Sequence, residues 1–210
     1  MKNPNLSFPV VFLSIVLAVV LAPSTVSSSI VLDTVGRPVR PGVPYYILPA
    51  EDGTGAGGLV PATAYYQRDA CPPAVVQSQL PYVLGVPVTF APVNSEAGFV
   101  PTSSDLTVEF DSDVWICPES KVWKTDYAQL LRTSYVSAGG DKSDGDSWFK
   151  IEQDGDDYKI FHSLSSSYVS ISNPDRGVRG VLVGPSGRLP FLVKFKRAYE
   201  TTNELLKNTM

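Results

Sequence analysis

Between residues 31 and 195 the sequence sustains no helical spacing of apolar residues. β-prone runs of about four to six residues recur instead, broken every few positions by Gly, Pro, Asp or Ser. That rhythm excludes helical bundles and open α/β folds, both of which need amphipathic helices. The clearest unit is 148–152 (WFKIE) and 158–161 (YKIF), joined by a loop centred on Asp154-Gly155. Asp-Gly between two such runs is a strong hairpin signal. Residues 106–110 (LTVEF) alternate with period two. Further runs lie at 45–48, 62–66, 86–90, 114–117, 122–123, 168–171, 178–183 and 191–195, while 126–136 fits no single period. Pro87 suggests an edge position for its strand. About a dozen short strands predict an all-β domain, barrel or sandwich, with rough thirds at 30–85, 86–140 and 141–198.

The ends read differently. Lys2 precedes a mostly apolar run at 8–22, which is the size of a signal-peptide core and short for a membrane span. Small residues follow, so 1–28 is expected to be a removed leader, 29–198 the domain and 199–210 a polar tail. Without Lys2, 16 basic residues face 21 acidic ones, a net charge near −5. An acidic chain with no Lys/Arg cluster is a poor nucleic-acid ligand, and no membrane contact is expected after leader removal. Cys71 and Cys117 are the only cysteines. In a secreted chain an even count implies a bridge, and a closed loop of 46 positions stabilises by about 4 kcal/mol on the chain-entropy relation.

Three segments carry a resemblance. Val31, Asp33, Gly36, Pro38, Val39, Gly42, Tyr45, Tyr46 and Ile47 form the first. Cys71-Pro72-Pro73-Ala74-Val75-Val76-Gln77 is the second, and Ser147-Trp148-Phe149-Lys150-Ile151 followed by Tyr158-Lys159 is the third. On these residues the chain resembles the plant Kunitz family of the soybean-trypsin-inhibitor type, over nearly the whole expected mature length. The resemblance implies a β-trefoil of about twelve strands. It also implies the Cys71–Cys117 bridge; a second, smaller bridge common in the family is missing here.

It further implies a protease inhibitor without enzymatic activity or cofactor. In the family one loop between the fourth and fifth strands enters a protease cleft in a substrate-like form. Here that loop is Pro92, Val93, Asn94, Ser95, Glu96, Ala97 and Gly98, with Ser95 or Glu96 at the cleavage position. Trypsin inhibitors carry Arg or Lys there, to pair with the carboxylate in the enzyme's pocket. No Lys or Arg occurs between Arg68 and Lys121, so strong trypsin inhibition is not expected. Pro41 also replaces an Asn that braces the loop in many relatives. The implied partner is an endopeptidase of serine or cysteine class, the implied state a monomer, and the implied setting plant defence. A place in the secretory pathway is expected, extracellular in the apoplast, with the vacuole and endoplasmic-reticulum bodies as alternatives.

A second branch of the same fold competes. Gly57-Gly58-Leu59-Val60-Pro61-Ala62, Leu80-Pro81-Tyr82 and Gly85-x-Pro87-Val88 are similar to the water-soluble chlorophyll proteins. In those tetramers the carbonyl of the proline at the Pro61 position ligates the pigment's Mg²⁺. The pigment binders read Gln and Pro where this chain has Val83 and Leu84. A storage or stress protein without a protease target has the same composition.

Other motifs carry less. Gly53 to Gly58 spells G-x-G-x-x-G, but no helix start follows, so a hairpin loop is expected rather than a dinucleotide site. His162 is the only histidine, and with serines after it reads as structural. Asp141, Asp144 and Asp146 lack the order of a Ca²⁺ loop and its closing Glu, and no metal site is expected.

Overall fold

The computed structural model describes residues 29–50, 55–94, 97–173, 178–184 and 189–198. Among them, β1 (Tyr45–Pro49) pairs antiparallel along its length with β12 (Leu192–Arg197), and its Tyr45 also meets the first residue of β4 (Val88–Pro92). β4 lies in register with β5 (Leu106–Phe110), from Val88↔Phe110 to Pro92↔Leu106. Leu106 meets Phe149 at the start of β8 (Phe149–Asp154), which forms a hairpin with β9 (Asp157–His162). β9 returns to β12 through Leu192↔Lys159 and Val193↔Tyr158. These six strands therefore close on themselves, and each has a neighbour on both sides.

The other six form hairpins: β2 (Leu59–Ala62) with β3 (Ala74–Gln77), β6 (Lys124–Ala128) with β7 (Thr133–Ser137), and β10 (Ser167–Ile171) with β11 (Arg179–Val183). β11 meets both β3 and β7, and β3 meets β7 at Ala74↔Ser137, so the three hairpins join one another. A closed barrel joined to a triplet of hairpins, from three successive four-strand units, is a β-trefoil. The units begin at β1, β5 and β9.

The strands alternate as a pleated surface requires. In β9 Tyr158, Ile160 and His162 are buried while Asp157, Lys159 and Phe161 are less so. Inward-facing Ile47, Phe90, Leu106, Phe149, Ile151 and Phe195 fill the main core, each at 1 % exposure or less. Full burial of such a side chain contributes about 1.5–3 kcal/mol. Cys71 and Cys117 are bridged.

Several sequence-based expectations shift. The ambiguous stretch 126–136 contains most of β6, the turn and the start of β7. The expected strand at 114–117 is loop instead. Val114 and Ile116 point outward, while Trp115 packs on Phe110 and its indole N–H donates to the Glu119 carbonyl at 2.9 Å. The expected strand at 62–66 starts earlier, as β2, because Leu59 and Val60 pair with Gln77 and Val76. Pro87 precedes β4 rather than marking an edge, since β4 is flanked by β1 and β5. The hairpin turn is Gly155-Asp156, one position later than expected, with Gly155 at φ +62°. The rough thirds miss the repeat boundaries, because the units share strand pairing rather than side chains. The expected leader and tail, and residues 95–96, lie outside the described residues.

Candidate functional site

The loop between β4 and β5 is anchored at both roots. Val93 N–H donates to the Asp105 carbonyl at 2.9 Å, which extends the β4–β5 ladder by one rung. Pro92, opposite Leu106, fixes the backbone where the chain leaves the sheet. Beside these roots runs the segment 39–42. Gly42 N–H donates to the Phe90 carbonyl at 3.1 Å on the ascending side. Val100 N–H donates to the Val39 carbonyl at 2.8 Å on the descending side.

One short segment therefore holds both ends of the loop. It keeps its own shape because Gly42 sits at φ +69°, and because Arg40 N–H donates to the Tyr45 hydroxyl at 3.1 Å. Pro41 lies inside this segment, whose ties to the loop roots are main-chain bonds of its neighbours Val39 and Gly42.

The descending arm is tied down further. Val31 N–H donates to the Val100 carbonyl at 3.0 Å, and Thr102 N–H to the Ser29 carbonyl at 2.7 Å. Ser103 N–H donates to the Ile151 carbonyl at 2.8 Å, with Ser103 in the left-handed region at φ +58°. Asp105 accepts from the Ser163 hydroxyl and faces Lys150 at 3.8 Å. Phe90 and Val100 are fully buried beneath the loop, Val93 and Ala97 are half-buried, and Asn94 and Gly98 are exposed. Ser95 and Glu96, the two cleavage-position candidates, fall between these and outside the described residues. Sequence reasoning missed Val39, Gly42 and Val100 as loop supports. Their bonds are main-chain bonds between distant segments and leave no side-chain signature.

The chain matches a family profile described as "Trypsin and protease inhibitor" across residues 31–197. The chain belongs to the legume Kunitz family. The Kunitz trypsin inhibitor 3 of Arabidopsis thaliana is 43 % identical over 211 residues, 97 % of this chain and 94 % of that protein. The bark lectin isoform 1 of Crateva tapia is 38 % identical over 167 residues, 75 % of this chain and 96 % of that protein. Among solved structures, a type II water-soluble chlorophyll-binding protein superposes with TM-score 0.72 at 30 % identity, covering 81 % of this chain and 99 % of the other.

Within the Kunitz frame the Gly-Gly-Leu-Val-Pro segment has a packing explanation. A Cβ on Gly57 would strike the carbonyl oxygens of Leu80 and Val83, and one on Gly58 those of Leu84 and Ile47. The bonds from Gly57 N–H to Ser78 and from Gly58 N–H to Val83 hold that contact at 2.8 and 2.9 Å. The glycines let the 78–86 loop lie against β2 (Leu59–Ala62). This contact, followed by a strand rather than a helix, also replaces the dinucleotide geometry that G-x-G-x-x-G requires. Pro61 lies opposite Val75, half-exposed, beside a cavity of 290 Å³. Val114 and Ile116, 80 % and 92 % exposed, are on its wall.

His162 is buried and its hydrogen bonds fix its state. Nδ1 accepts from the Ser165 backbone N–H (3.3 Å) and hydroxyl (2.8 Å), so Nε2 carries the proton and faces the Asp146 carbonyl at 3.2 Å. Burial lowers its pKa, opposed in part by Asp146. The ring rests 5.2 Å from Phe149 and holds β9 to the 3₁₀ turn Gly145–Ser147. Asp141 accepts from the Ser143 N–H (2.8 Å) and hydroxyl (2.7 Å), which lowers its pKa and closes a local turn. Among the described residues the one gathering of metal-ligand types is Cys71, Cys117 and Glu119, of which the first two are bridged.

Proposed function

We propose that the mature chain is a secreted inhibitor of an endopeptidase, serine or cysteine in class. It would block the enzyme's cleft with Pro92, Val93, Asn94, Ser95, Glu96, Ala97 and Gly98. The observation that carries this reading is the double anchoring of the loop: one segment, 39–42, bonds to both roots, and the flanks of the crown, Asn94 and Gly98, stay exposed. A loop already held in shape loses little entropy on binding, so a protease can bind it tightly while turning it over slowly. In this reading residues 1–28 are a removed leader, the inhibitor is monomeric, and its role is plant defence in a secretory compartment. Among the described residues no helix is long and apolar enough to cross a membrane. A basic residue is missing from the loop, and a small Ser95 at the cleavage position suits an elastase-like or subtilisin-like pocket better than trypsin's.

Titration of the purified mature chain against trypsin, chymotrypsin, elastase, subtilisin and papain tests this. Stoichiometric loss of one serine-protease activity, with slow cleavage after Ser95 or Glu96, is the expected result. Ser95→Arg or Glu96→Arg should add trypsin inhibition. If all five enzymes keep full activity, the reading fails.

Pigment carriage is the second reading, favoured by one observation: the apolar wall of Val114 and Ile116 beside Pro61. Against it stands the packing role of Gly57 and Gly58. Chlorophyll reconstitution decides it, since a visible absorption band co-eluting with a tetramer is required.

A further inference from the structure

A concavity among the described residues lies away from the 92–98 loop. It is an open cleft of 920 Å³ between the 65–72 segment and the β6–β7 hairpin, and none of its lining residues belongs to 92–98 or to 39–42. Its volume is near the upper end of the range for small-molecule sites, about 300–1,000 Å³.

The wall is aromatic. Tyr65, Tyr66 and Tyr135 form a chain of edge-on contacts, with ring centroids 5.3 and 5.0 Å apart. Opposite, on the outer strand β6, Tyr127 is 63 % exposed. Burial and the neighbouring rings push the Tyr66 hydroxyl well above the usual phenol range, and burial and Asp126 raise that of Tyr135, so both stay neutral. Arg68, Asp69 and Gln129 stand exposed around the cleft.

The walls are also set in advance. The Gln67 side chain accepts from the Ala64 and Ala74 N–H groups at 2.8 and 3.3 Å and donates to the Pro72 carbonyl at 2.8 Å. The Cys71–Cys117 bridge clamps the end of the same segment. On the facing hairpin Asp126 is held by Lys124 (3.1 Å) and the Ser137 hydroxyl (2.7 Å).

We infer that this cleft binds a neutral oligosaccharide. A pyranose ring has an apolar C–H face and a rim of hydroxyls. The cleft offers both: the half-buried Tyr65 and exposed Tyr127 rings, backed by the buried Tyr66 and Tyr135, beside a carboxylate, a guanidinium and a side-chain amide. Its charges select against ions: one cation, Arg68, is set against Asp69 and Asp126, and Asp126 is already paired with Lys124. A sulfated or phosphorylated ligand meets no excess of positive charge there. A preset cleft also spares the ordering cost that makes weak sugar contacts unproductive.

The test uses the full mature chain and four neutral tetrasaccharides (cellotetraose, mannotetraose, galactotetraose and chitotetraose), with a heparin tetrasaccharide as the anionic control. Binding is read by calorimetry. At least one neutral probe should bind, and Tyr127→Ala and Asp69→Asn should each weaken it about tenfold or more. Both residues are exposed, so the variants should keep the wild-type unfolding temperature and the wild-type protease titration. The inference is overturned if no neutral probe binds, if the heparin fragment binds more tightly, or if Tyr127→Ala leaves binding unchanged. None of those results touches the inhibitor reading, which rests on a different loop.

Discussion

Gly42 separates backbone conformation from packing in the support of the 92–98 loop. Its φ is +69°, yet a Cβ added there would meet nothing within 4 Å. Gly42→Ala therefore creates no collision and tests the left-handed backbone alone. For an L-residue that conformation costs about 1–2 kcal/mol. In a domain of this size each kcal/mol shifts the melting temperature by about 2–4 °C, so a fall of about 2–8 °C is expected. Gly98 is the matched control: it also has open space around a Cβ, but its φ is outside the left-handed range. Gly98→Ala should be neutral, or stabilise by up to about 1 kcal/mol through the unfolded chain. The assay is thermal unfolding of both variants beside wild type, followed by timed digestion with subtilisin. Gly42→Ala should also be cut faster in the loop, because relaxation of the strained residue pulls its N–H from the Phe90 carbonyl. Equal melting temperatures for Gly42→Ala and wild type would refute the argument that this glycine holds the loop root. So would equal damage from Gly98→Ala.

Replacing both bridged cysteines by serine should cost about 4 kcal/mol, given the closed loop of 46 residues, and lower the melting temperature by about 8–16 °C. Gly58→Ala should destabilise by about 1–3 kcal/mol, because the opposing groups are backbone oxygens that cannot rotate away; wild-type stability in that variant would remove the packing explanation for the glycine pair. For His162, burial holds the folded-state pKa below the unfolded value of about 6.5, so the unfolded chain takes up the proton first. The stability this histidine contributes is then full above about pH 6.5 and is lost as the pH falls toward its lowered folded pKa. Melting temperature against pH for wild type and His162→Gln should diverge below that point and run parallel above it.

How much of this was legible depended on what each residue faces. The β8–β9 hairpin could be read because its alternation is strict and its turn contains Asp-Gly. β6 could not: Lys124, Thr125 and Asp126 are half-buried and Tyr127 is exposed, so the strand has no apolar face to announce it. Residues 114–117 failed in the opposite sense. They are apolar and β-prone, yet Val114 and Ile116 face solvent in a loop held by Trp115 and the Cys117 bridge. The 92–98 loop was proposed as the inhibitory one from flanking strands and family motifs. Its support from 39–42 depends on backbone bonds between segments about fifty to sixty positions apart, and no local pattern encodes such bonds.

The bonds from Ser29 to Thr102 and between Val31 and Val100 have a consequence for maturation. The first described residues of the chain lie across the descending arm of the loop, with Ile30 bridged to Pro101. The stiffness of the 92–98 loop is thus partly set by residues 29–31, some seventy positions away. Loss of Ser29 and Ile30 alone would remove two ties on the descending arm while leaving Val31 in the core. On the inhibitor reading, residues 29–30 would then act as a dial on how long the loop survives in a protease's cleft.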